Sequence, residues 1–398
     1  MGPVDFVITN PRHHLAMFAP VIERLRAQGV AVRVLSLCEL RGYVTPAEEL
    51  NGLDIEWMPL MPVRLSKDSQ QLRAVRDRAA GRARGLMQDA VWRGLIRWNR
   101  RLTGRPRPAV AVLPNDAAFP YDRIADHYRR DGVPFLLMQE GVRFELPLAG
   151  RRRQYGQGGA QAVAAWGDAS VEYFRGVGVP NDRIHAIGNP RLDAIRTRDW
   201  SQPARALRAS LGLDRPVLLV LTNPVDLQGF CTREDKHRQV GAFLRAAAGA
   251  AAAHGLTVVV KIHPAESLPA YRADAAAAGP GIHVVRDAEV YALFTLAAVV
   301  VVLASTVGLE AMLFDLPVGV LEVPGAGFVY DFVAQGAAVP LYADRPAPGL
   351  DALLADDAGR REARRRYLGE QIANLGRSAE AAAALIGEIA RPRMVAVP

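Results

Sequence analysis

The sequence predicts an α/β protein built of two Rossmann-like domains, each a parallel sheet with helices on both faces. Short apolar runs alternate with amphipathic stretches from one end of the chain to the other, which is the signature of repeated β-α-β units. At 398 residues the chain is too long for one ordinary core and long enough for two domains of roughly 180 residues each. Half of its residues are hydrophobic, so each half has the material for a sizeable core.

The first domain is expected over residues 1–195. Val4–Thr9 reads as an apolar strand, His14–Ala27 as a helix ended by Gly29, and Ala31–Leu37 as the next strand. Pro20 should kink that first helix or mark where its regular part starts. Ile55–Pro59 is a short strand, followed by a basic helical region to about residue 102. Ala109–Pro114, Pro134–Gln139, Ala162–Ala165 and Ile184–Ile187 read as further strands, with a helix over Tyr121–Arg130. The half closes on Gly188-Asn189-Pro190, a corner that Gly permits through φ > 0 and Pro fixes.

The second domain is expected over residues 196–375, joined near 194–205. Pro216–Leu221, Thr257–Lys261, Ile282–Val285, Val299–Leu303 and Pro317–Leu321 are its strands. Lys236–His254, Glu289–Ala297 and Gly308–Phe314 are its helices, and the Ala-rich tracts are helix formers. Arg360–Ile389 reads as one or two helices, and residues 376–398 as a terminal helix crossing back to the first domain.

Composition excludes several classes. Cys38 and Cys231 lie far apart with no CxxC or Cys/His spacing, which excludes a disulfide framework or a structural zinc and fits a reducing cytoplasm. The first residues run straight into a strand without the pattern of a secretion signal, and the longest apolar run, Leu296–Ala304, is about half a bilayer span. A cytoplasmic protein is expected. The formal net charge of +8 is concentrated between Arg64 and Arg107, where thirteen Arg and Lys face three Asp, leaving the remainder slightly acidic. Trp92 and Trp98 lie in the same segment. Arginine with tryptophan suits a peripheral contact with anionic headgroups or an anionic glycan, and a solvated helix face is the plainer alternative. No recognition module for nucleic acid accompanies the charge.

Ligands of open α/β sheets sit beyond the carboxyl ends of the strands, and four such loops stand out. Lys261-Ile262-His263-Pro264 leaves a buried strand, so His263 is poised to donate to a phosphate or sugar oxygen, with its backbone pinned by Pro264. Ser305-Thr306-Val307-Gly308-Leu309-Glu310 leaves another strand and opens a helix, an arrangement that suits a phosphate; Glu310, one turn in, suits sugar or ribose hydroxyls, or else dipole electrostatics at a plain N-cap. Glu140, after Pro134–Gln139, is a candidate general base, or a turn residue paired with Arg143. His14, in Thr9-Asn10-Pro11-Arg12-His13-His14, is a second candidate base, with Arg12 as a phosphate contact. Asn115, Asp116 and Tyr121 are weaker candidates, and Asn223 is placed to line the nucleotide side.

Taken together, the segments GVPNDRIHAIGNPRLD, KIHP and ASTVGLEAMLFDLPVGVLE resemble the GT-B superfamily of nucleotide-sugar glycosyltransferases. Within it they are similar to bacterial capsule, teichoic-acid and Kdo-type transferases, including the CDP-glycerol glycerophosphotransferase-like group. The resemblance covers residues 134–345, and more loosely the first forty. It implies two Rossmann-like domains with a cleft between them, a C-terminal domain that binds the donor, and an N-terminal domain that supplies acceptor and base. His263, Ser305 and Thr306 would then hold donor phosphate, with Glu310 near the nucleotide, and Glu140 or His14 as base. Arg191 and Lys261 are further anion contacts. The donor would be a CMP-, CDP- or UDP-linked sugar and the acceptor a cell-surface glycan or glycolipid. No metal or other cofactor is implied, and no Asp-x-Asp motif occurs.

The chain departs from the glycerophosphotransferase group, which carries Asp-Tyr-Ser-Ser where Leu303-Ala304-Ser305-Thr306 stands and Trp-His-Gly where Gln139-Glu140-Gly141 stands. That points to sugar transfer over polyol-phosphate transfer. Glu140 to Arg143 is also similar to the Glu-Ala-Gly-Leu-Arg run of UDP-N-acetylglucosamine 2-epimerases, whose Ser-Gly-Gly and Glu-Glu pairs are missing here. An isomerase or hydrolase of nucleotide sugars is thus the second reading, and nucleotide binding without turnover the third.

Overall fold

The computed structural model describes residues 2–38, 43–46, 48–57, 94, 100, 104–141 and 153–391. The chain forms two compact units, Met1–Arg196 together with Gln371–Pro398, and Thr197–Glu370.

The first unit is a seven-stranded sheet ordered β3-β2-β1-β4-β5-β6-β7. Its strands are β1 (Val4–Ile8), β2 (Val32–Ser36), β3 (Asp54–Trp57), β4 (Val110–Leu113), β5 (Phe135–Met138), β6 (Ala162–Ala165) and β7 (Ile184–Ala186). Every pairing is parallel, with Val4 facing both Val32 and Val110. β1, β2, β4, β5 and β6 are buried along their whole length, which is why they read as unbroken apolar runs. The strand order reverses between β1 and β4, so the loops leaving these two strands diverge and open a crevice.

The helix Pro11–Ala27 covers one face of this sheet. Asn10 caps it by accepting from the His13 N–H at 3.2 Å, and Pro11 occupies the first turn, where no N–H is needed. Of the two roles expected for Pro20, it does not mark the start of the helix, which is continuous through it from Pro11. Leu15, Phe18, Val21, Ile22 and Leu25 are buried on either side, and that packing offsets the one backbone bond the proline forfeits.

The segment 188–193 anchors the returning chain end. Gly188 has φ of 89°, and a Cβ there would stand 2.2 Å from the Ala373 carbonyl oxygen, so only glycine fits. Asp193 accepts from the N–H groups of Gly376 (2.9 Å), Ser378 (3.1 Å) and Ala379 (2.8 Å), capping the helix Ser378–Ala390. That helix buries Ala379, Ala382, Ala383, Leu385 and Ile386 in the core it shares with Phe18 and Val21.

Most of the basic segment 64–107 lies outside the described residues. Arg100 Nη2 meets Asp5 Oδ2 at 2.6 Å, and Arg105 Nη1 meets Asp54 Oδ1 at 2.9 Å. These two arginines are therefore spent on acids of the sheet. Among the described residues no helix is long and apolar enough to cross a membrane.

The second unit is a six-stranded, wholly parallel sheet ordered β10-β9-β8-β11-β12-β13. Its strands are β8 (Val217–Leu221), β9 (Thr257–Lys261), β10 (Ile282–Val285), β11 (Ala297–Leu303), β12 (Val318–Leu321) and β13 (Val339–Leu341). Here the order reverses between β8 and β11. The helix Arg233–Ala253 packs Val240, Phe243, Leu244 and Ala247 into the core with Val258 and Val260 of β9. Two helices, Ala358–Gln371 and Ser378–Ala390, occupy the terminal region, and the break between them falls where the chain passes from the second unit to the first.

Candidate functional site

In the first unit the loops leaving β1, β4 and β5 converge on Glu140. Asn115, two residues beyond β4, donates from Nδ2 to Glu140 Oε1 at 2.6 Å. Its Oδ1 meanwhile accepts from the N–H groups of Ala117 (2.9 Å) and Ala118 (2.8 Å), which fixes the amide's orientation. His14 Nε2 lies 3.4 Å from Glu140 Oε2. His14 Nδ1 accepts from two backbone N–H groups, Thr9 and Asn10, each at 3.1 Å, so a neutral His14 ring carries its proton on Nε2 and donates it to Glu140. The Tyr121 hydroxyl sits 2.9 Å from Thr9 Oγ1 and 3.3 Å from His14 Nδ1.

The backbone of Glu140 is held as firmly as its side chain. His13 Nε2 donates to the Glu140 carbonyl at 2.8 Å, and the Glu140 N–H donates to the Tyr155 hydroxyl at 3.3 Å. Gln139 locks the strand end: its Oε1 accepts from the Trp166 N–H at 2.9 Å and its carbonyl from the indole Nε1 at 2.8 Å. The Glu140 side chain remains 26 % exposed, against 4 % for His14. Burial pushes the Glu140 carboxyl up, but the hydrogen bonds and charge offered by His14 and the bond from Asn115 outweigh it, and the group titrates below the ordinary glutamate value. His13 is likewise depressed, by burial first and then by the charges of Arg191 and His14. The result is an ionised carboxylate with two side-chain donors and an open flank.

Asp116, a second carboxylate beside this loop among the described residues, is committed elsewhere. Its oxygens accept from the N–H groups of Gly156 (2.9 Å) and Gly158 (2.7 Å). Burial, only partly countered by those bonds, raises its carboxyl above the usual range. Arg12 is exposed at the start of the first helix, and Arg191 follows the corner, where its N–H donates to Asn189 Oδ1 at 3.0 Å. Arg143, the alternative partner for Glu140, lies outside the described residues.

In the second unit the loops leaving β8, β9 and β11 come together. Asn223 Nδ2 donates to the Ala304 carbonyl at 2.6 Å, tying the β8 loop to the β11 loop where the strand order reverses. Ala304 has φ of 42°, a left-handed conformation that costs a non-glycine residue about 1–3 kcal/mol and is concentrated at functional sites. It turns Ser305 and Thr306 out of the strand and into the helix Val307–Leu313. The expected cap is made by Ser305, whose Oγ accepts from the Val307 N–H at 3.4 Å, and not by Thr306, whose side chain makes no capping bond. Gly308 lies close under Phe332, 3.0 Å from where a Cβ would stand. Glu310 is buried and accepts from the Tyr291 hydroxyl at 2.7 Å.

His263 and Pro264 lie exposed just past β9. His263 Nδ1 accepts from the Ala265 N–H at 3.1 Å, which leaves the proton of a neutral ring on Nε2. Lys261 Nζ reaches the Arg286 carbonyl at 3.4 Å, and burial holds its ammonium below the ordinary lysine value. Among the described residues no group of three or more His, Cys, Asp or Glu is placed to hold a metal ion.

The structure thus gathers His14 and Glu140 in the first unit, and Asn223, Ser305 and Thr306 in the second. It brings Asn115 and Tyr121, the weaker candidates, to Glu140 and His14 respectively, adds Tyr155 at the Glu140 backbone, and in the second unit gathers Thr222, Lys236, Glu266 and Tyr271 around the His263 turn. Asn115 carried the signal of a polar residue at a strand end, whereas Lys236 reads in the sequence as one more charge on a polar helix start.

Two doubly wound parallel sheets of this topology are the architecture of the GT-B class, and the chain has that fold. Solved structures of the same fold match nearly its whole length. The UDP-GlcNAc 2-epimerase of Neisseria meningitidis, bound to UDP-GlcNAc, aligns over 97 % of this chain and 100 % of its own at 13 % identity and a TM-score of 0.66. The UDP-GlcNAc 2-epimerase of Methanocaldococcus jannaschii covers 97 % and 99 % at 11 % identity and a TM-score of 0.61. The wall teichoic acid polymerase TagF covers 98 % and 89 % at 11 % identity and a TM-score of 0.57. No protein-family model and no curated protein sequence matches the chain.

Proposed function

We propose that this protein is a metal-independent, nucleotide-sugar-dependent glycosyltransferase, in which Glu140 of the first unit is the base that deprotonates the acceptor hydroxyl. The second unit binds the donor, with His263 and the Ser305–Thr306 turn meeting its phosphates and Asn223 ordering the loop beside them. The observation that carries this reading is the Glu140 site: a partly exposed carboxylate held ionised by donors from Asn115 and His14. His14 is assigned the role of donor to Glu140, not of base, because its second ring nitrogen is taken by two backbone N–H groups. As charge develops on the departing phosphate, His263 Nε2–H and the N–H groups at Ser305–Thr306 are the preorganised donors that favour it. Acceptors of a cell-surface glycan or glycolipid type remain part of the proposal.

A second reading, a 2-epimerase of nucleotide sugars, is favoured by the fold match to two UDP-GlcNAc 2-epimerases. Inverting a carbon centre by proton removal and return calls for a second acid–base group. Among the described residues beside Glu140, Asp116 has both oxygens engaged by backbone N–H groups, His14 has Nδ1 engaged by two more and His13 has Nε2 on the Glu140 carbonyl, which supports transfer over epimerisation.

The test is thermal denaturation of wild type and His263→Ala against CMP, CDP, UMP, UDP, GDP and dTDP. A ligand that binds only the folded state raises the melting temperature by mass action. One nucleotide class should stabilise wild type and lose most of that effect in His263→Ala. An equal response in both proteins would remove His263 from the site, and no response to any nucleotide would overturn the donor assignment.

A further inference from the structure

The His263 turn is fastened from beneath by a buried polar cluster. The Glu266 side chain is 2 % exposed. Its Oε1 accepts from Lys236 Nζ at 2.9 Å and from the Tyr271 hydroxyl at 2.7 Å. Its Oε2 accepts from the His263 N–H at 3.0 Å and from the Thr222 hydroxyl. These four donors come from four places in the unit. Thr222 follows β8, His263 lies just past β9, Lys236 lies in the first turn of the helix Arg233–Ala253, and Tyr271 lies in the helix Leu268–Ala278. Lys236, itself 4 % exposed, also reaches Asp226 Oδ1 at 2.5 Å.

Burying a carboxylate and an ammonium this completely gains little stability over an apolar pair of similar volume. What the cluster does, and an apolar core does not, is direct the backbone of the His263 turn. Glu266 engages the His263 N–H and so sets the orientation of that peptide. The turn that follows brings the Ala265 N–H onto His263 Nδ1 at 3.1 Å. A ring that accepts at Nδ1 presents Nε2–H as its donor.

We propose that Glu266, with Lys236 as its counter-ion and Thr222 as its brace, is the positioning residue for His263, holding the turn so that Nε2–H is the donor offered to an anionic diphosphate ligand. The ligand part of this proposal rests on the nucleotide reading of His263; the positioning part does not.

The two are separated by measuring the His263 tautomer first, in full-length protein without ligand, by long-range proton–nitrogen NMR of the imidazole, with His263→Ala supplying the assignment. Wild type should show one tautomer, protonated at Nε2. In Glu266→Gln the amide oxygen is drawn to the Lys236 ammonium, which turns the NH2 against the His263 N–H, donor against donor, and the His263 signals should move to a tautomer average. Thr222→Val should move them the same way, and Thr222→Ser, which restores the hydroxyl, should return them to wild type. That series decides the matter if Glu266→Gln does not fold. An unchanged His263 spectrum in folded Glu266→Gln and Thr222→Val would overturn the positioning role and leave the cluster as plain scaffolding. UDP and CDP titrations then follow. Glu266→Gln should weaken the nucleotide that wild type binds by about tenfold or more, the scale of one charge-assisted contact. Failure of wild type to bind either nucleotide would overturn the ligand part, with the tautomer result still deciding the positioning role.

Discussion

Asn115→Asp is the sharpest perturbation of the Glu140 site, because it alters charge and almost nothing else. The new carboxylate keeps the oxygen that accepts from Ala117 and Ala118 N–H. It replaces the donor that sits 2.6 Å from Glu140 Oε1 with a second acceptor. Two carboxylates at that spacing do not both ionise. Even if the pair relaxes to about 4 Å, the repulsion is about 4 kcal/mol at an effective dielectric of about 20, equivalent to about 3 pKa units. The pair then shares a proton, and its upper apparent pKa climbs from below the ordinary carboxylate range toward neutrality. In the pH profile of kcat/KM for the sugar donor, the acid limb should therefore move up by about 3 units. Activity at pH 6 should fall more than tenfold and recover by pH 9. A carboxyl-carbon NMR titration of Glu140 should show the same displacement without any substrate. A profile that superimposes on wild type would refute the assignment of Glu140 as base.

Other outcomes follow from the same geometry. In wild type, Glu140 titrates below its ordinary 4.5, so its bonds stabilise the ionised folded form above that pH and this contribution is lost as the pH falls through the lowered value; kcat/KM should accordingly stay level from pH 7 down to about 5. Asp193→Ala removes the acceptor of three N–H groups at the start of the last helix and should lower stability by about 2 kcal/mol in urea denaturation, while leaving the His263 turn unaltered. Turnover should be indifferent to EDTA, and inhibition by EDTA that added divalent ions reverse would contradict the metal-independent scheme. Vesicles containing anionic lipid should bind the protein more weakly as salt rises; indifference to anionic lipid would return the basic segment to an ordinary solvated face.

Much of the fold was legible because a doubly wound sheet buries its strands on both faces. Val217–Leu221 and Val110–Leu113 therefore stand out as uninterrupted apolar runs. The strand Val339–Leu341 did not, since it is three residues long with Pro340 at its centre. The first helix was legible through Pro20, but its start at Pro11 was not, since the Asn10 cap that sets it is made by a bond to the His13 N–H. Strand-end loops were equally legible as places, so Glu140, His14, His263 and Ser305 were nameable in advance. Which of them pair was not. Asn115 meets Glu140 across 25 positions of sequence, and Thr222 meets Glu266 across 44. Only the parallel topology brings such pairs together, and nothing in their local sequence records it. Glu310 shows the converse, a well-placed residue whose partner, Tyr291, engages it from another helix.

The most direct test of the central claim is to incubate the protein with UDP- and CDP-linked sugars in deuterated water, without acceptor, and follow donor and products by NMR. A glycosyltransferase should return the donor with its sugar configuration intact, no deuterium at C2, and only slow release of free sugar and nucleotide. Rapid appearance of a C2 epimer carrying deuterium would contradict the account and establish the isomerase reading in its place.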